Sequence, residues 1–340
     1  MLTFFIYYSL PPPLCLSMSG EFNLIEKYFV NRQTQRCDVL LAAGDDCALV
    51  EAPTGCSIAI STDTLVSGTH FLASANPAWV AHKALASNIS DLAAMGATPA
   101  WVSFALTMPE IDETWLAPFC DSFFELADQY GIQLIGGDTT KGPLSLTLTV
   151  QGFVPKGEAL RRDGAKEGDE IYVTGSLGDS KAGLDVILNP TNVGKPNAPV
   201  LEQRHYFSSP RVNVGEALRG IASAAIDISD GVVSDLGHIL KRSSVGAEVE
   251  VERLPVSAEL VEFVPRRELA LQYALTSGEE YELCFTVPVC KREALSQALA
   301  GIDCPITRIG QINSSGQLNL TKDGQAISWQ LSGYDHFNSN

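Results

Sequence analysis

The chain has 340 residues, 45% of them hydrophobic and 19% charged, which is enough for a substantial core and for two domains. Its formal net charge of −17 argues against a general nucleic-acid binder, because that function needs a basic surface to displace phosphate counterions. An acidic protein can still bind an anionic nucleotide when metal ions lie between the two.

The N-terminal stretch is apolar, but Pro11, Pro12 and Pro13 interrupt it. It lacks a basic start and is too short to span a membrane, so we expect residues 1–17 to be a disordered or non-native extension. No later segment has about 20 consecutive apolar residues. The eight cysteines contain no C-x-x-C pair, and we expect reduced, buried thiols in a cytoplasmic protein that contacts no membrane.

Residues 18–155 are predicted to form a first domain of alternating strands and helices. Apolar residues at helical spacing predict helices at 20–29, from 77 toward 96, and from 112 to a stop at 131. Apolar runs predict strands at 38–41, 58–60, 101–108, 132–135 and 144–154. The polar motifs of this half are therefore expected where strands end.

Residues 156–340 are predicted to form a second α/β domain, after a boundary rich in Pro, Gly and Asp at 155–169. Strands are predicted at 171–174, 225–228, 247–251, 281–287 and 306–312. Helices are predicted after 180 and at 212–222, 232–242 and 292–300, with a loop at 189–198. No sequence repeat relates the two halves.

Oxygen-rich segments recur along the chain, each with carboxylates beside Gly, Ser or Thr. They are Gly44-Asp45-Asp46, Ser61-Thr62-Asp63, Asn88-Ile89-Ser90-Asp91, Gly136-Gly137-Asp138-Thr139-Thr140 and Asp227-Ile228-Ser229-Asp230-Gly231. Taken singly, each is explained as a turn, a helix cap or a solvated surface. The last segment lies between a strand and a helix N-terminus, where phosphate is favoured. Together they indicate one site for hard cations such as Mg²⁺, which prefers oxygen ligands and shares them with substrate phosphates.

Other polar residues have two interpretations each. His70 follows Gly68 near the acidic centre and is either a ligand or a structural residue. The pair Arg161-Arg162 is either solvated or binds nucleotide phosphates. Tyr334 either covers the C-terminus or offers its ring to a cationic ligand. The P-loop, the protein-kinase motifs and G-x-S-x-G are absent from the sequence.

The order and length of these motifs resemble the thiamine-monophosphate kinase family. The resemblance runs through GEFNLI, GDDCAL, STDTLV, NISDLAAMGA, LIGGDTT, ISDGVVSDLGHIL, SGEEYELCF and GYDHF. It implies an α/β, two-domain fold like that of aminoimidazole ribonucleotide synthetase, with mixed sheets and helices packed on them. Residues 18–155 would then bind metal and ATP and form a homodimer through their strands. It also implies ATP-dependent phosphorylation of thiamine monophosphate to thiamine diphosphate with several Mg²⁺ ions, a step of thiamine diphosphate biosynthesis.

The resemblance also implies roles for individual residues. Metal ligands are implied at Asp46, Ser61, Thr62, Asp63, Asp91, Asp138, Asp227 and Asp230. Nucleotide contacts are implied at Gly137, Asp138, Arg162 and Ser229, and substrate contacts at His70, Glu279 and Tyr334. Of these, Asp63, Asp138, Arg162 and Asp230 are expected to act in catalysis.

Physical chemistry agrees with direct in-line transfer and no phosphoenzyme. The second pKa of a phosphate monoester is about 6, so the acceptor is largely anionic at neutral pH and needs no general base. The barrier is repulsion between two polyanions and the cost of alignment, which metal ions and Arg162 address. Two alternatives remain open at this point: another ATP-dependent enzyme of the same fold, such as a purine-pathway cyclo-ligase or selenophosphate synthetase, and a metal-loaded nucleotide-binding regulator without turnover.

Overall fold

The computed structural model describes residues 24–30, 32 and 35–329, which form two main sheets with helices packed against them. The extension predicted at 1–17 and Tyr334 lie outside the described residues. Of the helix predicted at 20–29, Leu24 and Ile25 are helical and Glu26–Val30 forms a short π-helix. The earlier residues of that helix also lie outside the described part.

The first half is organised around a four-stranded sheet. Its elements are β1 (Val39–Leu41), β2 (Leu49–Val50), β3 (Cys56–Val66), α1 (Pro77–Ala94), β4 (Thr98–Met108), α2 (Glu113–Gln129), β5 (Gln133–Lys141) and β6 (Ser145–Pro155). The strand order is β3-β6-β4-β5, with β4 and β5 parallel and the other two pairs antiparallel. Strands β1 and β2 form a separate antiparallel pair, of which β2 was not predicted. The strands predicted from 38 to 154 and the helices predicted from 77 and 112 are confirmed, and several strands are longer than expected.

Two motifs expected at strand ends lie inside strands, so that expectation was wrong. Ser61-Thr62-Asp63 lies within β3, because Leu65 and Val66 continue the pairing with β6. Asp138 lies within β5, because this strand continues along β4 as far as Lys141. Side chains of a strand alternate between the two faces of a sheet, so each motif divides its residues between the faces.

Helix α1 is buried between the two halves of the protein. Asn76 caps it, since its Oδ1 accepts the Ala78 N–H at 3.0 Å, and Pro77 occupies its first turn, as the sequence predicts. Buried apolar residues cover several sides of the helix: Val80, Ala84, Leu85, Ile89, Leu92 and Ala93. Polar side chains on such a helix must find partners inside the protein.

The second half is organised around a seven-stranded sheet. Its elements are β7 (Glu170–Thr174), α3 (Asp179–Leu188), α4 (Ala198–Tyr206), α5 (Val212–Ala217), β8 (Ala224–Asp227), α6 (Val232–Ser243), β9 (Gly246–Glu250), α7 (Ala258–Phe263), α8 (Arg267–Thr276), β10 (Leu283–Val287), α9 (Arg292–Ala298), β11 (Ile306–Asn313), β12 (Leu318–Lys322) and β13 (Gln325–Ile327). The order is β13-β12-β9-β11-β7-β10-β8, and the β12–β9 pair is parallel. The strands and helices predicted in this half are confirmed, but α4, α7, α8, β12 and β13 were not predicted.

The seven described cysteines are all free thiols, but only Cys120 and Cys284 are buried, so the expectation of buried thiols holds for these two. Burial raises the pKa of each of the two thiols to about 12. Within residues 24–30, 32 and 35–329, no helix is both long and apolar enough to cross a membrane.

Candidate active site

Strand β3 and helix α1 bring the first polar residues of the site together. Ser61 and Asp63 lie on the face of β3 that meets α1. The Ser61 hydroxyl donates a hydrogen bond to the Asp91 carboxylate, and the Asp63 N–H donates to Asn88 Oδ1 at 3.2 Å. The periodicities of strand and helix therefore place an alternating pair of β3 residues opposite the polar side of α1.

Asp227 joins this group from the second half of the chain. It ends β8 and is only 3% exposed, and its Oδ2 accepts the Ser90 hydroxyl at 2.9 Å. Because Ser90 and Asp91 are neighbours on α1, the helix connects carboxylates from both halves. We name Asp63, Asp91 and Asp227 the carboxylate cluster.

The electrostatics of the carboxylate cluster favour an added positive charge. Burial and the nearby Asp91 charge raise the pKa of Asp63 to about 6. Burial, followed by the charge of Asp91, raises the pKa of Asp227 to about 8. Burial also raises the pKa of Asp91, although the Ser61 hydroxyl and the charge of Arg162 oppose the change. Each carboxylate is thus costly to ionise beside the others, and a cation would offset this cost.

The loop that follows β8 is held by Asp235 of α6. Its Oδ2 accepts the Ser229 N–H and the Asp230 N–H, each at 3.0 Å. Burial raises the pKa of Asp235 to about 7, against the opposing effect of these backbone hydrogen bonds. The loop carrying Ser229 and Asp230 is therefore fixed next to Asp227.

A cavity of about 420 Å³ opens beside the carboxylate cluster, and Ser61 and Asp91 form part of its wall. Three arginines also line it: Arg161, Arg162 and Arg242. Asp163 holds Arg161 through contacts of 2.8 Å to Nε and 2.6 Å to Nη2. Positive side chains beside carboxylates can bind a phosphate chain together with its cations.

A second polar group surrounds Lys83 of α1, which is 1% exposed. Its Nζ lies 2.7 Å from Glu279 Oε1, and it donates to the His70 carbonyl oxygen at 3.1 Å. His205 Nε2 lies 3.0 Å from the same Nζ. Nδ1 of His70 accepts the Val66 N–H at 3.0 Å. The implied substrate residues His70 and Glu279, which are distant in sequence, therefore meet at one lysine.

Four of the predicted site residues are not brought to the carboxylate cluster within one chain. Asp46 is exposed in the turn between β1 and β2. Thr62 faces the opposite side of the sheet, with its Oγ1 2.9 Å from Thr149 Oγ1. Gly137 of β5 lies three strand spacings from Asp63 of β3, a distance of about 14 Å, because β6 and β4 separate the two strands. The next residue, Asp138, is exposed and faces the other side of the sheet.

Within the described part of the chain, no three Asp, Glu, His or Cys residues lie close enough to hold a metal ion between them. Ser229 and Asp230 lie in the loop after β8, and Arg162 lines the cavity. Tyr334 lies beyond the described residues.

The sequence reasoning assigned no role to Lys83, Asp235 or Tyr281. Burial raises the pKa of Tyr281 well above its ordinary value, and the charges of Glu279, Asp63 and Asp227 add to the effect. This tyrosine therefore lies between the carboxylate cluster and the Lys83 group. A signal for Lys83 was present in the sequence, because Lys83, Ser87 and Ser90 recur at helical spacing on a helix that is mostly apolar.

Comparison with protein families matches residues 44–154 to the AIR synthase related protein N-terminal domain and residues 166–323 to the AIR synthase related protein C-terminal domain. The thiamine-monophosphate kinases of Salmonella typhimurium and Escherichia coli K12 are each 53% identical over 320 residues, which cover 94% of this chain and 98% of theirs. That of Bacillus subtilis is 36% identical over 326 residues, covering 93% and 99%.

Solved structures give the same grouping. The thiamine-monophosphate kinase of Stenotrophomonas maltophilia K279a superposes with a TM-score of 0.82 at 43% identity, covering 91% of this chain and 98% of that one. A structure described as AaThiL complexed with AMPPCP and TMP superposes with a TM-score of 0.73 at 30% identity, covering 97% and 100%. The hydrogenase maturation protein HypE in complex with ATP, at 20% identity and a TM-score of 0.73, shares the fold.

Proposed function

Because the chain belongs to the thiamine-monophosphate kinase family and is a phosphotransferase of the kinase type, we propose that it transfers the γ-phosphoryl group of ATP to thiamine monophosphate. The products would be thiamine diphosphate and ADP. The observation that carries the proposal is the carboxylate cluster beside an arginine-lined cavity, in a chain that matches such kinases almost end to end. The AaThiL structure with an ATP analogue and TMP supports the choice of substrates.

The donor chemistry of the site fits Mg²⁺. The cluster offers hard oxygen ligands, and the raised pKa values of Asp63 and Asp227 reflect repulsion and burial that a divalent cation would offset. We propose that Ser61, Asp63, Asp91, Asp227 and Asp230 are metal ligands at the carboxylate cluster. We propose that Asp46, Thr62 and Asp138, which lie away from the cluster within one chain, are ligands of further Mg²⁺ ions. When bound, Mg²⁺ would supply positive charge that offsets the negative charge of the phosphates.

The chain's own residues would bind and align two polyanions. Arg162, in the cavity wall, is proposed to bind the transferring phosphoryl group, with Gly137, Asp138 and Ser229 as further nucleotide contacts. Asp63, Asp138 and Asp230 are also proposed to act in catalysis. The acceptor phosphate is already largely ionised, with a second pKa of about 6, so it needs no general base. The transfer would be direct and in line. His70, Glu279 and Tyr334 are the proposed contacts of thiamine monophosphate.

An assay with ATP, Mg²⁺ and thiamine monophosphate tests this function. Thiamine diphosphate and ADP should form in equal amounts, and Arg162→Met should lower turnover by about 100-fold or more. The matched control is Arg253→Met, which removes an exposed arginine paired with Glu250 on the surface. Nucleotide binding without thiamine diphosphate formation would contradict the kinase function and favour a regulator. A covalent phosphoprotein trapped during turnover would rule out direct transfer.

The open face of the first sheet supports a homodimer formed by residues of the domain proposed at 18–155. Strand β3 is an edge strand, and its Ile58 and Ile60 are 44% and 66% exposed. Exposed apolar side chains on an unpaired edge favour association with a second copy. The free thiols of the seven described cysteines support a cytoplasmic enzyme, because disulfides form in oxidising compartments.

A further inference from the structure

Lys83 lies where the segment after β3 meets the second half of the chain. Its ammonium group contacts Glu279 Oε1 at 2.7 Å, the His70 carbonyl oxygen at 3.1 Å and His205 Nε2 at 3.0 Å. A lysine that is 1% exposed has lost almost all of its hydration, so these three partners replace water. Lys83 therefore connects one residue of the first half with two of the second.

His205 acts in this group as a neutral acceptor. Burial, followed by the charge of Lys83, lowers its pKa to about 4. An Nε2 that accepts a hydrogen bond from an ammonium group leaves the ring proton on Nδ1. This Nδ1 lies 3.1 Å from the Ser180 carbonyl oxygen, which accepts a hydrogen bond from the Nδ1–H. The imidazole is thus held from both sides, and it orients the ammonium toward Glu279.

The backbone around Glu279 is strained. Glu279 and Tyr281 have φ values of 57° and 54°, in the left-handed region that side chains other than glycine rarely adopt. Backbone hydrogen bonds to the β8 loop hold the segment, from the Glu279 N–H to Ser229 O at 2.8 Å and from the Tyr281 N–H to Ile228 O at 2.9 Å. These bonds determine the path of the backbone, and the ion pair with Lys83 determines where the carboxylate lies.

The Glu279 carboxylate is held but not enclosed. One oxygen is paired with Lys83, and the side chain remains 28% exposed. Burial by itself would raise the pKa of Glu279, but the charge of Lys83 lowers it below its ordinary value. The carboxylate is therefore ionised and can contact a positively charged ring.

We propose that Lys83 is a positioning residue for the acceptor substrate, which holds the Glu279 carboxylate and the His70 segment in the arrangement that binds the cationic ring of thiamine monophosphate. This inference rests on the proposed function. It assigns Lys83 to the acceptor rather than to ATP, because its contacts are with the proposed acceptor residues and not with the carboxylate cluster.

Steady-state kinetics of Lys83→Met, Glu279→Gln and the double variant test the proposal. Lys83→Met should raise KM for thiamine monophosphate by about tenfold or more, and KM for ATP should stay within about twofold. In the Glu279→Gln background the same change should alter KM for thiamine monophosphate by less than about twofold, because Lys83 acts through Glu279. Lys195→Met is the control, since Lys195 lies over the Phe263 ring instead.

The outcomes separate the two proposals. A wild-type enzyme that does not phosphorylate thiamine monophosphate contradicts the proposed function, whatever the variants do. If the wild type is active, two results contradict the role of Lys83. In the first, Lys83→Met raises KM for ATP and KM for thiamine monophosphate equally. In the second, the effects of Lys83→Met and Glu279→Gln on KM for thiamine monophosphate multiply in the double variant. If Lys83→Met does not fold, Lys83→Arg keeps the charge with a different geometry and should raise KM for thiamine monophosphate alone, by about threefold or more. Unchanged kinetics in Lys83→Arg would then contradict the proposal.

Discussion

Replacing Asp63 by Asn should make the metal-free protein more stable and the enzyme much less active. In the folded protein the pKa of Asp63 rises from 3.8 to about 6, through burial and the Asp91 charge. At 1.36 kcal/mol per pH unit, ionised Asp63 therefore opposes folding by about 3 kcal/mol above pH 6, and by about 1 to 2 kcal/mol after solvent screening of this partly exposed group. Asn removes the charge and keeps the shape.

The size of this stabilisation depends on pH. A folded-state pKa above the unfolded value means that the wild type loses stability as pH rises from 3.8 toward about 6. The Asp63→Asn variant lacks this loss. Its melting temperature in EDTA should therefore exceed that of the wild type at pH 7.5, and the difference should shrink near pH 4. In Mg²⁺ the difference between the two melting temperatures should narrow or reverse, because the wild type gains stability from ion binding.

The assay combines thermal melts with and without EDTA and turnover of thiamine monophosphate. Turnover of Asp63→Asn should fall by about 100-fold or more if this carboxylate acts in the transition state. Asp303→Asn, a change at an exposed aspartate, controls for loss of one negative charge. Near-normal turnover of Asp63→Asn would show that the Asp63 carboxylate does not act in the site. A variant that is less stable than the wild type in EDTA at pH 7.5 would refute the electrostatic reasoning.

Three further predictions concern other parts of the molecule. Two arginines, Arg292 foremost, lower the pKa of Glu170 to about 2. At 1.36 kcal/mol per pH unit, Glu170→Gln should therefore cost about 3 kcal/mol at pH 7, and its melting temperature should meet that of the wild type as pH falls from 4.5 toward 2. Parallel pH dependences of the two melting temperatures would exclude this contribution. Asp235→Ala removes the acceptor of the Ser229 N–H at 3.0 Å and should raise KM for ATP by about tenfold, with a smaller rise in KM for thiamine monophosphate. Equal rises in the two KM values would indicate general loss of structure. If the proposed homodimer forms through β3, Ile60→Lys should lower the mass measured by light scattering from that of a dimer to that of a monomer. A dimer mass that is unchanged in the variant would place the interface elsewhere.

Much of the fold could be predicted from local patterns. The start of α1 at Pro77, the alternation along β6 and the apolar runs of β8 and β10 each correspond to an observed element. The short helices α7 and α8 were not predicted, because packing against distant segments stabilises short helices more than their own sequence does. The ends of β3 and β5 were also misplaced, because pairing with neighbouring strands, and not the polar residues within them, decides where they stop.

For the candidate site, too, some features follow from the sequence and others only from the tertiary structure. The sequence by itself determined the chemical types present, since an acidic chain with aspartates beside Gly, Ser and Thr favours hard cations and phosphates. Only the tertiary structure decided which of them meet: Asp63 and Asp91 join Asp227 across α1, whereas Thr62 and Asp138 turn to the open face of the sheet. Successive side chains of a strand point to opposite faces of the sheet, so the strand register decides which face each aspartate or threonine joins. Register is set by pairing between strands that are distant in sequence. The same holds for Lys83, whose polar group exists only where β3, α1 and two later segments meet.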